Sequence, residues 1–174
     1  YSGNQVVLAA GAWSPLILRS LKLRLPIQPA KGYSLTYKRP STSPQLPLSL
    51  SERQIAVTPM GESLRFTSTL ELAGFDTSTS QQRLQTIRRA VNEYLPGMEE
   101  LGAETAWFGY RPATPDDLPI IGRSEMYDNL ILATGHGTLG VTQALITGKL
   151  VSQLAAGEKP SIDLTPLRAE RFYG

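Results

Sequence analysis

Apolar residues follow two spacings along the chain, and the clearer one lies near its end. An apolar run over 130–133 gives way to glycines at 135, 137 and 140. Apolar and small residues then recur at helical spacing: Val141, Ala144, Leu145, Gly148, Val151 and Ala155. The order predicts a strand, a glycine turn and a helix. Because the first amides of a helix lack internal partners, the turn is predicted to bind an anion or a cofactor.

The start of the chain has the same order of elements. The apolar run over 5–10 predicts a fully buried strand, which normally has neighbours on both sides. Gly11 marks a turn, Ser14 is predicted to cap a helix, and Pro15 suits its first position. A buried strand so close to the first residue indicates a chain cut from a longer one.

The middle of the chain follows a period of two, which is typical of strands with one polar face. This spacing holds over 27–37, over 103–111, and over 54–59 and 63–72, which flank Met60-Gly-Glu62 as a hairpin. In the second of these strands Trp107, Gly109 and Arg111 share one side. Between the strands over 63–72 and 103–111, the capping-box spacing of 79–82 predicts a helix that ends at Pro96-Gly97.

The predicted fold class is therefore α/β with an inserted α+β part. Parallel βα units at both ends of the chain flank an antiparallel sheet and one helix. The predicted divisions are residues 1–26, 27–113 and 114–174.

Composition excludes several classes of function. The net charge of +2 comes from 17 basic and 15 acidic residues that are mixed along the chain, which argues against nucleic-acid binding. Zero cysteines and one histidine argue against disulfides and metal sites. No apolar run approaches the roughly 20 residues of a membrane span, so a cytoplasmic location is expected.

The turn at 135–140 formally satisfies the G-x-G-x-x-G pattern of dinucleotide-binding sites. That pattern needs a second strand with an acidic residue about 20 positions later, followed by further βαβ units. Glu158-Lys-Pro160 stands here instead and interrupts the pattern, so that no such strand follows. We therefore reject the literal interpretation, and a helix entry made of small residues without any ligand stays open as the alternative.

Several stretches together resemble one family, the flavin-dependent D-amino-acid oxidoreductases of the glycine oxidase and D-amino-acid dehydrogenase group. The matching stretches occur in family order over nearly the whole chain: residues 7–14, 29–34, 74–76, 110–122, 135–140 and an ending at 163–172. Lys31-Gly-Tyr-Ser34 and the 135–140 turn favour the dehydrogenase branch, whereas Val141 stands where that branch often has an aromatic residue.

The resemblance implies a function for the complete protein. It implies FAD as cofactor and oxidation of a small D-amino acid or N-substituted amino acid to an imino and then a keto acid, with hydride passing from the α carbon to the flavin. The true dinucleotide fingerprint of the family lies near the start of a chain about twice this long, so this sequence resembles the C-terminal half and is expected to be inactive alone.

The resemblance also places the divisions of the chain. Residues 1–26 and 114–174 correspond to pieces of a doubly wound FAD-binding sheet, the latter with the C-terminal helix, and residues 27–113 to the antiparallel substrate domain. The electron acceptor, a quinone or oxygen, stays open, as does peripheral association with the inner face of the membrane. The alternatives are a glycine, sarcosine or proline-type oxidase and, for the isolated piece, a non-catalytic substrate-binding module.

Arg111 is the predicted substrate-binding residue, because a guanidinium can hold a carboxylate through two parallel hydrogen bonds and the matching family position does so. The alternative is a structural ion pair with Asp116 or Asp117. The cofactor-binding residues implied by the resemblance are Gly11, Trp13, Gly135, His136, Gly137, Thr138, Leu139 and Gly140. No residue is assigned as a catalytic base or a metal ligand.

Some of these residues have a second interpretation. Gly137 is expected to bring the backbone against the flavin ring, and Gly140 to let the helix pack closely on its sheet. His136 is more simply a hydrogen-bonded spacer, and Trp13 could belong to the core. Lys31 either lies near the flavin or forms an ion pair. The tyrosines at 33, 37 and 110 either line the pocket or cover the sheet.

Overall fold

The computed structural model describes residues 3–95, 101 and 105–173. In chain order the strands are β1 (Val6–Leu8), β2 (Gln28–Lys38), β3 (Leu48–Leu50), β4 (Ile55–Met60), β5 (Ser63–Glu71), β6 (Thr105–Ala113), β7 (Ile120–Arg123) and β8 (Leu130–Thr134). The α-helices are α1 (Ser14–Leu18), α2 (Gln81–Tyr94) and α3 (Gly140–Ala155). Short 3-10 helices cover Gly11–Trp13, Arg19–Leu21, Ser51–Arg53, Thr165–Leu167 and Ala169–Phe172.

The chain forms two compact units. The terminal unit consists of Tyr1–Ala30 and Arg111–Gly174, and the central unit of Lys31–Tyr110. The predicted divisions fall at residues 26 and 113, and their assignment to a cofactor part and a substrate part stays a prediction. The α/β fold with an antiparallel insertion is confirmed.

The terminal unit has a three-stranded sheet in the order β1-β8-β7. β1 is parallel to β8, in register from Val6 opposite Leu130, and β7 is antiparallel to β8. The central strand β8 is buried along its whole length. Its core includes Leu8, Leu18, Ile120, Leu130 and Leu132.

One predicted burial in the terminal unit is wrong, because β1 is an edge strand of this sheet and Val6 is 50% exposed. In α3, Val141 is 93% and Leu145 is 89% exposed, whereas Leu150 is buried. The spacing correctly predicted a helix but not the face that packs, because α3 covers β7 and β8 through the side of Leu150.

The central unit is built on a five-stranded sheet in the order β3-β4-β5-β2-β6. The pairs β3/β4, β4/β5 and β2/β5 are antiparallel. The predicted hairpin is confirmed as β4 and β5, whose turn uses Gly61 at a φ of +58°. The sheet and α2 share one apolar core: Tyr33, Leu35, Tyr37, Ile55, Val57, Leu64, Phe66, Leu84, Ile87, Ala90 and Val91.

Two local predictions in the central unit need correction. β2 was expected to carry one polar face, yet Ala30 to Leu35 are all buried, including Lys31, whose charge is neutralised by Asp76. Helix α2 begins one residue later than predicted, with Ser80 as its cap accepting a hydrogen bond from the Arg83 amide at 3.4 Å. The predicted end of this helix at Pro96-Gly97 lies outside the described residues.

Candidate functional site

The two glycine turns predicted to hold the cofactor are neighbours in the structure. β1 and β8 are parallel and adjacent, so the turns that follow them leave from the same edge of the sheet. The Thr134 hydroxyl donates to the Gly11 carbonyl at 3.0 Å and lies 2.9 Å from the Ser14 hydroxyl. We call residues 11–14 and 135–140 the paired turns. Ligands of open α/β sheets bind at this carboxyl edge.

Ser14 has a different role from the one predicted. It was expected to cap a helix, but it lies within α1 and makes no capping hydrogen bond. Its buried hydroxyl instead bonds to Thr134 and ties the two turns together. Thr134 itself was not singled out from the sequence, where its only signal is a hydroxyl residue between a buried strand and a glycine.

Two glycines of the paired turns present bare backbone to open space. Gly11 and Gly137 have φ values of +54° and +52°, in the left-handed region that glycine occupies without steric cost. A Cβ built on either residue meets no atom within 4 Å. A ligand could therefore approach the backbone closely at both positions.

Gly135 and Gly140 serve other purposes. A Cβ at Gly135 would lie 2.8 Å from Cγ2 of Thr114 and 3.4 Å from the Ile120 amide nitrogen, so packing inside the unit requires this glycine. A Cβ at Gly140 would meet only Cβ of His136, at an ordinary 3.5 Å. The expectation that Gly140 allows close packing of the helix on its sheet is therefore wrong.

The hydrogen bonds of the turn at 135–140 show which of its amides are already paired within the protein. The Gly137 amide donates to the Pro112 carbonyl at 3.0 Å and the Leu139 amide to the His136 carbonyl at 3.0 Å. The intrahelical ladder of α3 begins with the Gln143 amide, which donates to the Leu139 carbonyl. The amides that can stabilise negative charge are thus those of the first turn of α3, at the positive end of its dipole.

His136 is held as a hydrogen-bonded spacer. Its Nε2 lies 2.9 Å from the hydroxyl of Thr147, a residue of α3. Burial lowers the pKa of the imidazole, which favours the neutral form at pH 7. The geometry gives His136 no role as a base.

Three side chains of the paired turns are exposed, and two of them, Trp13 and Leu139, are apolar. Trp13 is 48% exposed, so its interpretation as core is wrong. Leu139 and Thr138 are also exposed. Together with the bare backbone of the glycines they form a surface on which an aromatic ring system can lie.

Arg111 is a partly buried cation in strand β6. Burial lowers the pKa of its guanidinium. Among the described residues it forms no ion pair, and the predicted alternative partner Asp116 is bound by Arg171 at 2.7 Å instead. A desolvated guanidinium without a carboxylate is costly, and a bound anion removes that cost.

Strand β6 presents two different faces. Phe108 and Tyr110 lie on one face, where their rings meet edge to face with centroids 5.8 Å apart. Trp107 lies over Gly109 on the other face, where alternation also places Arg111. Strand alternation in the sequence predicted the same grouping of Trp107, Gly109 and Arg111.

Lys31 is an ion-paired residue of the central unit. Its buried ammonium donates to Asp76 at 3.0 Å and to the Ser78 carbonyl, and lies 4.6 Å from the centre of the Phe108 ring. Burial acts to lower the pKa of the ammonium, but hydrogen bonds to Asp76 and Tyr33 outweigh it, so the pKa is raised. The structure therefore supports the ion pair, one of the two alternatives left open for Lys31.

The three tyrosines differ in their surroundings. Tyr33 and Tyr37 are buried in the core of the central unit. The Tyr33 hydroxyl donates to Glu71 at 2.6 Å, and the Tyr110 hydroxyl donates to the Asp76 carbonyl at 2.6 Å. Tyr33 and Tyr37 thus cover the sheet, and Tyr110 fastens β6 to the segment at Asp76.

In the described part of the chain, no three histidine, cysteine, aspartate or glutamate side chains come together in a way that could hold a metal ion. In the same part of the chain, no helix has both the length and the apolar character to cross a membrane.

Parallel strands that end in open glycine turns, in a chain with an antiparallel insertion, are an arrangement typical of α/β folds that bind ligands at the carboxyl edge of a sheet. Residues 2–154 match the sequence profile of the family described as FAD dependent oxidoreductase, DAO. The chain belongs to this family, as the resemblance predicted.

Two curated relatives carry the name D-amino acid dehydrogenase. The protein of Granulibacter bethesdensis is 41% identical over 170 residues, which are 97% of this chain and 40% of the relative. The protein of Xanthobacter autotrophicus is 40% identical over 168 residues, which are 95% of this chain and 40% of the relative. The chain therefore spans about 40% of the length of these relatives.

A solved structure shares the fold over the whole chain. Glycine oxidase from Geobacillus kaustophilus superposes with a TM-score of 0.91 at 26% identity, covering 100% of this chain and 47% of that chain. The likeness extends through both units, each of which has its counterpart in that glycine oxidase structure.

Proposed function

We propose that the chain is part of an FAD-dependent enzyme that oxidises small D-amino acids at the α carbon, giving imino acids that hydrolyse to keto acids. The observation that carries this proposal is the partly buried guanidinium of Arg111, which forms no ion pair among the described residues. The names of the two dehydrogenase relatives support the choice of substrate. A cytoplasmic location and peripheral membrane association remain predictions.

Arg111 binds the substrate carboxylate in this proposal. Its fork of N–H donors matches the two oxygens of a carboxylate, and partial desolvation strengthens the pair. A substrate held in this way has its α carbon at a fixed distance from the guanidinium. Its Cα–H bond therefore points in a consistent direction. Positioning of this kind is the main contribution that a protein makes to a cofactor-dependent oxidation.

The paired turns are proposed to hold the cofactor. The open backbone at Gly11 and Gly137 would lie against the ring system, with Trp13, Thr138 and Leu139 around it. The first amides of α3 would stabilise negative charge there. Gly135, Gly140 and His136 shape the turn from within and support it indirectly. FAD, when bound, supplies the hydride acceptor.

No side chain of this part of the chain is needed as a base. An amino acid that binds with its amine neutral already carries the lone pair that drives loss of hydride from the α carbon. The hydrogen bond between Nε2 of His136 and the Thr147 hydroxyl fits a residue with a structural role.

A second candidate is a glycine, sarcosine or proline-type oxidase that passes its electrons to oxygen. The whole-chain likeness to glycine oxidase favours it. Hydrogen peroxide formation with glycine or sarcosine would support the oxidase, and reduction of a quinone with D-alanine would support the dehydrogenase. Absence of turnover in any flavin-loaded form would leave the third alternative, a substrate-binding module.

The proposal is tested in a graft enzyme, in which this chain replaces the matching 168-residue segment of the Xanthobacter autotrophicus D-amino acid dehydrogenase. Arg111→Lys should lower kcat/KM for D-alanine about 30-fold or more, because a charged hydrogen-bonded pair is worth about 2–5 kcal/mol. Flavin content should not change. The matched control is Arg53→Lys, an exposed arginine paired with Glu93, which should leave kcat/KM within about twofold.

An Arg111→Lys graft with unchanged kcat/KM would refute the assignment of Arg111. A graft in which both arginine variants lose activity equally, together with their flavin, would show a folding defect rather than a lost substrate contact.

A further inference from the structure

The terminal unit contains a cavity that lies away from the paired turns. Its volume is about 500 Å³, and its wall is formed by residues 22–24, 125–126, 170 and 173. None of the residues predicted to bind the substrate or the cofactor lines it. Residues 125–126 belong to the connection between β7 and β8, before β8 begins, whereas the turn at 135–140 follows the end of β8. The cavity and the paired turns therefore lie at opposite edges of the sheet.

Hydrogen bonds between distant parts of the chain hold this wall together. The Tyr173 hydroxyl donates to the Arg24 carbonyl at 2.7 Å, and the Glu125 amide donates to Oε1 of Glu170 at 3.2 Å. Leu23 is buried in the core of the same unit. All three wall segments are thus fixed by the fold of the unit.

Glu170 brings an acceptor without a donor to this wall. Its Oε1 accepts the backbone hydrogen bond, but its Oε2 is buried and has no hydrogen-bond partner within the described part of the chain. A carboxylate oxygen that is removed from water without a donor is unfavourable. A ligand N–H group at this oxygen would stabilise it, most strongly if the donor carries a positive charge.

Lys22 and Arg24 bring positive charge to the same wall. Both residues are exposed, and among the residues that the structure describes neither side chain has a hydrogen-bond or ion-pair partner. Glu125, the second carboxylate of the wall, lies 3.5 Å from Arg168. The cavity therefore offers one unpaired acceptor and two unpaired cations. A ligand that carries both an ammonium and a carboxylate satisfies both kinds of group.

The rest of the wall is suited to an apolar group. Met126 is 61% and Tyr173 is 47% exposed. Burial and the nearby charge of Glu170 raise the pKa of the Tyr173 hydroxyl, so the ring stays uncharged at neutral pH. A thioether and an aromatic ring accommodate apolar groups of different shapes.

We propose that this cavity binds a free α-amino acid with an apolar side chain, at a site separate from the predicted substrate site. Glu170 binds the ammonium, and Lys22 and Arg24 bind the carboxylate. The apolar side chain lies against Met126 and Tyr173. The inference does not rest on the proposed function, because no residue of the predicted oxidation site takes part in it.

The first test compares ligands on the unaltered 174-residue chain by NMR of methionine methyl groups labelled with 13C. The chain has three methionines, and Met126→Leu identifies the signal of Met126. L-Phenylalanine should shift this signal to saturation, and the L form is used because the proposed substrates are D-amino acids. Phenethylamine lacks the carboxylate and 3-phenylpropionate lacks the amine. Each should bind at least about tenfold more weakly than L-phenylalanine.

The second test removes each charge of the wall. Glu170→Gln keeps an oxygen for the backbone hydrogen bond, and should raise the Kd of L-phenylalanine about tenfold or more while changing that of 3-phenylpropionate less than about threefold. Replacing Lys22 and Arg24 together by Gln should weaken both carboxylates and leave phenethylamine within about threefold. The matched controls are Glu158→Gln and Lys149→Gln, exposed residues of the same unit outside the cavity, which should leave every Kd within about twofold.

Three results would overturn the inference. The first is a Met126 signal that L-phenylalanine does not move up to its solubility limit. The second is binding of either single-charge analogue as tight as that of L-phenylalanine. The third is an unchanged Kd in Glu170→Gln, which would show that water already satisfies Oε2. The ligand comparison needs no variant of the wall, so it decides the matter even where a variant does not fold.

The proposed function is tested separately. Arg111→Lys should leave the titration of the Met126 signal unchanged, because Arg111 does not line the cavity. Loss of D-alanine turnover in the Arg111→Lys graft with normal L-phenylalanine binding would support both assignments. Normal turnover with normal binding would refute only the assignment of Arg111.

Discussion

Three glycines of the turn at 135–140 should respond differently to the same substitution, because their surroundings differ. Gly135→Ala places a methyl group in the left-handed region and 2.8 Å from Cγ2 of Thr114. The backbone conformation costs about 1–2 kcal/mol and overpacking about 1–3 kcal/mol. We expect the free energy of unfolding to fall by about 2–5 kcal/mol.

Gly137→Ala has the same backbone cost but no collision, since its Cβ points into open space. The expected loss is about 1–2 kcal/mol. Gly140→Ala is the control, because its φ is not left-handed and its nearest neighbour is at an ordinary distance. Alanine at the start of α3 should leave stability unchanged or raise it by up to about 1 kcal/mol.

Urea denaturation of the 174-residue chain, followed by circular dichroism, measures all three differences, with equal m-values as the check that the unfolded states are comparable. FAD retention in the graft enzyme is the second measurement. There Gly137→Ala should release the flavin although it is the less destabilised of the two left-handed variants. If Gly137→Ala were as unstable as Gly135→Ala, the space over Gly137 would not be open. If Gly137→Ala kept its flavin fully, that space would not be the cofactor surface.

The remaining predictions concern charge. Asp76→Ala should lower the urea midpoint more than Lys31→Met does. Asp76→Ala leaves a buried ammonium without its partner, whereas Lys31→Met leaves a carboxylate that is 45% exposed to water. The reverse order of midpoints would contradict the buried ion pair. Hydrogen bonds from Arg171 lower the pKa of Asp116 to about 2, below its value of about 3.9 in the unfolded chain. The stability that Asp116 contributes is therefore present above pH 4 and is lost as the pH falls from about 4 to about 2. Midpoints measured across this range should fall less steeply in Asp116→Asn, and an unchanged slope would contradict the lowered pKa.

The candidate site could be predicted from the sequence only in part. The glycine turn was visible because its glycines and the helix after it are consecutive in the chain. The ion pair between Asp116 and Arg171 could not be predicted, since the two residues are 55 positions apart in the sequence. The sequence allowed an ion pair between Arg111 and Asp116, and only the fold shows that Arg171 has taken that carboxylate.

The fold, too, could be predicted from the sequence only in part. Periodicity determined that 130–155 would form a strand, a turn and a helix, and that residues around Met60-Gly-Glu62 would form a hairpin, because these elements depend on local hydrogen bonds and on side chains a few residues apart. The family resemblance was likewise carried by short consecutive stretches.

Only the tertiary structure decided what covers each face. A helical period shows that α3 has an apolar side but not which side packs, and Val141 and Leu145 proved to be exposed. The burial of Lys31 depends on Asp76, 45 residues later, and the pairing of the turns depends on a hydrogen bond between Thr134 and Gly11 across 123 residues. Such contacts are selected by packing of the whole chain, for which local spacing carries no information.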